Sequence, residues 1–136
     1  SPLRRLTHLW IRENLDSAKM AEAAQYLVGI HDFRSLAIGH PKDRSAVRKV
    51  IRWDVERNED KIVIECEGTG FLKHQIRKTN GILTEIGSGK YPIEKMREAL
   101  EGENVPTRVL PAYGLCLISV KYPSSIGMEH KKLGLD

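Results

Sequence analysis

Two stretches of alternating residues on either side of a short polar turn constrain the fold more than any other feature of this chain. Residues 47–56 (VRKVIRWDVE) and residues 61–68 (KIVIECEG) flank the turn RNED. Their apolar members are predicted to share one face: Ile51, Trp53, Val55, Ile62, Ile64 and Cys66. A period of two around a short turn is typical of a β-hairpin with one buried face. The rest of the chain must therefore cover that face.

Three segments have the apolar spacing needed to provide this cover. Residues 16–29, 71–86 and 91–102 repeat apolar side chains every three or four positions, as helices with one buried side do. Asp16 or Ser17 can cap the first of these helices. The second segment is the longest of the three and is predicted to be a long helix.

Further alternating runs precede the first helix and follow the third. With strands at residues 4–11 and 114–122, the element order becomes strand, helix, strand, strand, helix and strand, with one extra short helix. This order predicts an α+β fold of the ferredoxin-like (split βαβ) type, an antiparallel sheet with helices on one face. Residues 31–46 are predicted to be a turn and a long polar loop. At 136 residues, the chain is expected to form one domain over residues 1–136.

Charge is segregated along the sequence. The net charge is +4, which alone is weak evidence for a polyanion-binding surface. Five cations between residues 42 and 52 accompany a single acid: Lys42, Arg44, Arg48, Lys49 and Arg52. Three more lie in residues 71–81, whereas acids gather in the segments ERNED and EALEGE. Such segregation is what a surface for a polyanion requires.

Several other kinds of site are not predicted. Cys66 and Cys116 lie in alternating apolar runs and are expected to be buried, reduced thiols. The five histidines are scattered, so no metal site is expected. The segment GSGK lacks the spacing of a phosphate-binding loop and is interpreted as a helix end. No apolar run can span a bilayer and no signal peptide opens the chain, so we expect a cytoplasmic protein.

Two binding-module interpretations stay open on the residues alone. A basic ferredoxin-like domain can be an RNA-recognition motif, but neither hairpin strand carries its aromatic signature and only 6% of residues are aromatic. A non-catalytic RNA-binding module of another kind remains an alternative. The second alternative is a regulatory module whose sheet pairs with another protein.

The stretch FLKHQIRKTNG, residues 71–81, combines cations with the apolar side of the predicted helix. Lys73 and Arg77 should lie one turn apart, with His74 and Lys78 beside them. Helical cations are usually solvated. Arg77 can differ if its stem packs against the sheet and its head enters a cleft, where it needs an anionic partner.

Four motifs, in this order and spacing, resemble the C-terminal half of TruA-type tRNA pseudouridine synthases. They are AAQYLVGIHDFRSL, VRKV, IECEGTGFLKHQIRKTNGILTEIGSGKYP and LPAYGLCLISVKYP. The resemblance extends from about Leu15 to Tyr122. It implies a cofactor-free isomerase that converts uridine to pseudouridine in tRNA, in the anticodon stem-loop, with the target nucleotide flipped out of its stack.

The resemblance also implies roles for individual residues. Arg77 matches the arginine that pairs with the family's catalytic aspartate and keeps it ionised. Seven other residues are expected to contribute to tRNA binding. Two of them, Arg34 and His31, should lie near the cleft. The other five should follow the tRNA phosphates: Lys73, His74, Lys78, Arg44 and Arg48. Phe71 and Leu72 are expected either beneath the target base or in the core.

The sequence also departs from the family pattern. We find no R-T-D-x-G motif, which holds the family's aspartate in its N-terminal half, so the chain by itself is expected to be inactive. The expected partners are tRNA, that N-terminal domain and, in the full-length enzyme, a second copy. Gln75, Thr79 and Asn80 replace apolar residues of the family, and Asn80 is expected to be exposed. Arg34 stands where a small residue is usual, and its role is open.

Overall fold

A five-stranded antiparallel sheet forms the framework of the chain. The structure, a computed structural model, describes residues 2–10, 14–107, 109–110 and 115–120. The strands are β1 (Leu3–Trp10), β2 (Gly29–Asp32), β3 (Val47–Asn58), β4 (Lys61–Gly68) and β5 (Leu115–Val120). They lie in the order β2-β3-β4-β1-β5. Without β2 this is the predicted ferredoxin-like order, and the α+β fold is confirmed.

The helices cover one face of this sheet. They are α1 (Ser17–Ala24), α2 (Gln75–Gly87) and α3 (Glu94–Leu100), with two short 3-10 helices at Gln25–Leu27 and Arg34–Leu36. The Asp16 carboxylate caps α1 by accepting from the Lys19 amide, as one of the two predicted caps. A single apolar core joins helices and sheet, and its largest members are Trp53, Phe33, Met20, Leu27, Leu36, Ile62, Ile64 and Met96.

The hairpin is confirmed, but its predicted face is wrong at one residue. Strand β4 alternates as expected. In β3, Val50 and Trp53 are buried while Ile51 is 38% exposed, because the pairing with β4 shifts register between Val50 and Arg52. Such an irregularity adds a residue to one strand and reverses the alternation beyond it.

Strand β2 falls where a turn and loop were predicted. Its four residues pair antiparallel with Val47 to Val50 at the edge of the sheet. Ile30 is 69% exposed, so this strand has no buried apolar alternation. Its conformation depends on hydrogen bonds to β3, which sequence periodicity does not record.

Helix α2 starts at Gln75 and not at residue 71. His74 has a left-handed backbone (φ 60°, ψ 10°), which interrupts the helical path. The residues before it turn toward the core instead: Leu72 is buried and Phe71 packs edge to face on Trp53, with ring centroids 6.2 Å apart. Lys73 therefore lies in the turn before α2, so the predicted one-turn pairing of Lys73 with Arg77 is wrong.

The far end of α2 is fixed to α1. The Asp16 amide donates to the Gly87 carbonyl at 2.9 Å. A Cβ atom at Gly87 would lie 2.7 Å from Sδ of Met20, so glycine permits the two helices to approach this closely. The anchored C-terminus of α2 fixes the direction in which its N-terminus, with Arg77, is presented.

Candidate functional site

Arg77 lies in the first turn of α2 with its side chain half-buried. Its Nε donates to the Leu110 carbonyl at 2.9 Å, and the Leu110 amide approaches the Arg77 carbonyl at 3.4 Å. Among the described residues, its two Nη groups have no hydrogen-bond or ion-pair partner. Leu110 thus fixes the guanidinium by its Nε edge, and no described residue bonds the Nη groups. Sequence patterns gave no sign of Leu110, because a backbone carbonyl has no residue-type signal.

The polar residues that depart from the family pattern are inside the core. Asn80 is fully buried, so its predicted exposure is wrong; its Oδ1 accepts from Trp53 Nε1 at 3.2 Å. Gln75 is also fully buried, and its Oε1 accepts from the Leu72 amide at 2.8 Å. These bonds compensate for burial of polar groups, and they fix the segment that leads into Arg77.

The compensation within α2 is incomplete. Gln75 Nε2, Thr79 Oγ1 and Asn80 Nδ2 are buried without a hydrogen-bond partner in the described part of the chain. Each such group costs about 1–3 kcal/mol. These polar residues therefore make α2 less stable than the apolar residues of the family pattern would.

Arg34 lies in the 3-10 helix after β2 and holds the loop that follows it. Its Nη1 donates to the Pro41 carbonyl at 3.0 Å and its Nη2 to the Arg44 carbonyl at 2.6 Å. The Asp32 carboxylate accepts from the Arg34 amide at 2.9 Å. Both ends of the guanidinium are therefore engaged with the backbone.

We call residues 39–46 the basic arm. Further bonds to its own carbonyls fold it back on itself: His40 Nε2 donates to the Ser45 carbonyl at 3.0 Å, and Arg48 Nη1 donates to the same carbonyl at 3.1 Å. Lys42 and Arg44 are exposed on it. The arm has little apolar packing, and side chain-to-backbone hydrogen bonds define its conformation.

The residues on either side of the basic arm are joined to the segment that leads from β4 into α2. The Ile38 amide donates to the Lys73 carbonyl at 3.2 Å, and the Thr69 amide to the Lys49 carbonyl at 2.9 Å. Arg48 lies against Gly70, where an added Cβ would be 3.6 Å from its Nε. The structure therefore brings Arg34, Arg44, Arg48 and Lys73 to the end of the domain where α2 begins.

The remaining predicted residues have distinct surroundings. His31 is half-buried; its Nε2 donates to the Val28 carbonyl at 3.0 Å and its ring meets Phe33 edge to face. His74 holds the strained turn, and its Nδ1 is buried without a partner in the described part of the chain. Lys78 follows Arg77 on α2 and is half-buried.

The sheet face away from the helices carries paired charges. Arg52 contacts Glu67 at 3.0 Å, Glu65 at 2.9 Å and Asp54 at 3.3 Å, and Arg4 contacts Glu65 at 2.6 Å. The hydrogen bond that Arg52 Nε donates to the Glu67 carboxylate is the main cause of the raised pKa of Arg52. Because its cations are already paired, this face offers little to a phosphate, and Arg52 does not belong with the basic arm.

Cys66 is on the opposite, helix-covered face. It is a free, buried thiol, as predicted, and burial raises its pKa to about 12. The side chain of Cys116 lies outside the described residues. Within residues 2–10, 14–107, 109–110 and 115–120, no group of His, Cys, Asp and Glu is placed to hold a metal, and no helix has the length and apolar character needed to cross a membrane.

Comparisons with known proteins agree on one family. A family model described as tRNA pseudouridine synthase matches residues 23–123. Proteins named tRNA pseudouridine synthase A are similar: that of Photobacterium profundum is 37% identical over 123 residues, 89% of this chain and 47% of the relative. That of Pseudomonas aeruginosa is 35% identical over 127 residues, 92% and 45% of the two chains, and that of Brucella ovis is 36% identical over 115 residues, 83% and 46%. This chain thus spans about half the length of these relatives, and it belongs to the tRNA pseudouridine synthase family.

Proposed function

We propose that this chain is the C-terminal half of a tRNA pseudouridine synthase and that Arg77 supports the reaction at its cleft. The reaction breaks the glycosidic bond of a uridine and rejoins the base through carbon, so uridine and pseudouridine are isomers. In this proposal an N-terminal domain supplies the aspartate that attacks, and the enzyme acts in the cytoplasm as a homodimer. Its substrate is the anticodon stem-loop of tRNA.

The single observation that carries the proposal is the attachment of Arg77 by Nε, with both Nη groups unbonded within the part of the chain that the structure describes. An arginine can grip a carboxylate through its two Nη groups or through Nε and one Nη. With Nε bonded to Leu110, only the end-on pair of Nη donors remains. A carboxylate held there stays ionised, because a nearby cation lowers its pKa by about 1–3 pH units. Its oxygens are also aimed in one direction.

The cations near the start of α2 fit the handling of tRNA. Lys73, Lys42 and Arg44 are exposed, while Lys78 and Arg48 are half-buried. Flipping a nucleotide out of its stack costs about a few kcal/mol. Contacts from these cations to phosphates can offset that cost, and they make binding salt-dependent.

The test uses the full-length protein with the substitution Arg77→Ala. Arg97→Ala, which removes the same charge from an exposed position on α3, is the matched control. Pseudouridine formation is measured in a single turnover and tRNA affinity by filter binding. Loss of a donor that holds a reacting charge typically lowers a rate by about 100- to 1,000-fold. We expect this loss for Arg77→Ala, with tRNA affinity changed only a few-fold and Arg97→Ala unaffected.

Two results would contradict the proposal. If Arg77→Ala strongly weakened tRNA binding while tRNA bound at saturating concentration still reacted at the normal rate, Arg77 would be a phosphate contact. If the 136-residue chain alone formed pseudouridine, the aspartate would not have to come from another domain. Salt-dependent binding of tRNA by a full-length protein without turnover would favour the non-catalytic RNA-binding module.

A further inference from the structure

We propose that the basic arm, residues 39–46, is a preformed phosphate-binding element and that Arg34 is the positioning residue that holds it in shape. This inference rests on the proposed function, since it takes the RNA backbone of the substrate as the ligand. It assigns Arg34 a role other than direct contact with RNA. It also separates the cations that bind from the cation that orders them.

The bonds of Arg34 support the positioning role. Its two Nη groups end on the carbonyls of Pro41 and Arg44, which lie on either side of Lys42 and Asp43. The residue's own backbone is held by the Asp32 carboxylate and by the 3-10 helix that Leu36 continues. A guanidinium used in this way bridges two points of the loop and has few donors left for a phosphate.

The arm itself is closed by a bond at its C-terminal end and by bonds within it. The Phe33 amide donates to the Ala46 carbonyl at 3.0 Å, and the Arg44 amide donates to the Pro41 carbonyl at 3.2 Å. His40 and Arg48 both bond the Ser45 carbonyl. These contacts turn backbone carbonyls inward, and the heads of Lys42 and Arg44 remain exposed.

This arrangement favours binding of a flexible polyanion. A loop that is ordered before binding loses less conformational entropy when it binds. The exposed heads of Lys42, Arg44 and Lys49, with Lys73 on the adjoining turn, then meet successive phosphates from one ordered surface. Releasing the arm from Arg34 would leave the same charges in place but raise the cost of aligning them.

The experiment compares Arg34→Gln and Arg34→Lys in the full-length protein, with tRNA affinity measured over a range of salt concentrations. Lysine keeps the charge but cannot bond two separate carbonyls in the geometry of the planar fork. We expect both variants to lose affinity by about three- to tenfold, as the loss of one ordinary hydrogen bond would produce.

Arg57→Gln is the matched control. Arg57 also bonds two backbone carbonyls, those of Glu59 and Leu15 at 3.0 and 3.1 Å, and it is exposed at the far end of β3. The substitution Arg57→Gln removes the same charge and the same kind of bridge between backbone carbonyls, but far from the basic arm. We expect it to leave tRNA affinity within about twofold.

The effect of Arg34 on the arm can be measured separately from a general structural role, by substituting the arm cations with and without Arg34→Lys. The double variant Lys42→Gln with Arg44→Gln should weaken tRNA binding and reduce the salt slope by about 2. In the Arg34→Lys background the same double change should have less than about half its effect, because the arm is no longer ordered. Amide exchange at Arg44 should also become faster, while exchange in β3 and β4 stays unchanged.

Two outcomes would overturn the proposal. One is an Arg34→Lys variant with wild-type affinity, which would make Arg34 a direct cationic contact. The other is full additivity of the Arg34 and Lys42–Arg44 effects. Either result would leave the proposed function intact. If instead the unsubstituted full-length protein bound no tRNA, the proposed function itself would fail, and the inference with it.

Discussion

Helix α2 and the basic arm present cations at the same end of the domain but hold them by opposite means. Most side chains of α2 are buried, and Arg77 is fixed by a helix that the core surrounds. The arm is mostly exposed, and side chains bonded to its carbonyls keep its shape. A group that must orient a reacting carboxylate needs the rigidity of a core. Cations that follow a phosphate chain need an ordered backbone and mobile heads.

The strongest way to break this comparison is to exchange arginine for lysine in both regions. Arg77→Lys keeps the charge but loses the Nε bond to Leu110 and the two-donor grip, so we expect single-turnover pseudouridine formation to fall by about 100-fold or more. Arg44→Lys on the arm should change tRNA affinity by less than about twofold, because a phosphate accepts either cation. If neither substitution changed the quantity measured for it, both positions would act only as point charges.

The next largest effect is expected from the buried polar contact of α2. Asn80→Ala leaves the indole N–H of Trp53 without its acceptor, which should lower the free energy of unfolding in urea by about 1–3 kcal/mol. Trp53→Phe removes the donor and is the second single substitution of a double-mutant cycle. The two changes should be non-additive by about 0.5–3 kcal/mol. Simple addition would mean that the bond contributes nothing specific to α2.

The thiol beneath the helices gives a pH-dependent measure of the same core. Cys66 has a pKa of about 12 when folded and 9.0 as its ordinary value, so the unfolded chain loses the thiol proton first. Its contribution to stability is therefore full below about pH 9 and falls by about 1.4 kcal/mol per pH unit between the two values. Urea unfolding from about pH 8 to about pH 10.5 measures this slope.

The variant Cys66→Ala provides the control for this slope. It lacks the thiol but keeps the other titrating groups, so its stability should fall less steeply over the same range. The slope is the measure here, since the smaller side chain also lowers stability at every pH. Matching slopes in the two proteins would mean that the thiol is not protected by the core.

The smallest expected effect lies at the base of the arm. Gly39 has φ +70° and no neighbouring atom within 4 Å, so Gly39→Ala adds backbone strain of about 1–2 kcal/mol but no clash. Because the arm is held locally, we expect a few-fold loss of tRNA affinity and little change in the unfolding transition. Gly89→Ala, equally open with φ +89° at the end of α2, should leave tRNA affinity unchanged.

Much of the fold could be predicted because it depends on periodicity. The hairpin, the covering helices and the strand order follow from apolar residues spaced by two or by three to four. The failures have specific causes: β2 is a short edge strand whose Ile30 faces solvent, Ile51 sits at a register shift, and α2 starts late because His74 is left-handed. Pairing register and single-residue backbone changes leave no periodic trace.

The candidate site divides in the same way. Residue types alone identified the clustered cations, and the family motifs singled out Arg77 among them. Its attachment to Leu110, the burial of Asn80 against Trp53 and the bridge from Arg34 to Pro41 and Arg44 were not predictable. Each joins residues to a partner across a turn or across the core.

The sequence by itself determined that this chain builds a helix-covered antiparallel sheet, carries clustered cations and belongs with the pseudouridine synthases. Apolar spacing and residue order carry that information along the chain. Only the tertiary structure decided which cations are held and which are free, because the groups that hold them are mostly backbone carbonyls. Every residue has such a carbonyl, and only the folded geometry selects the few that Arg77 and Arg34 reach.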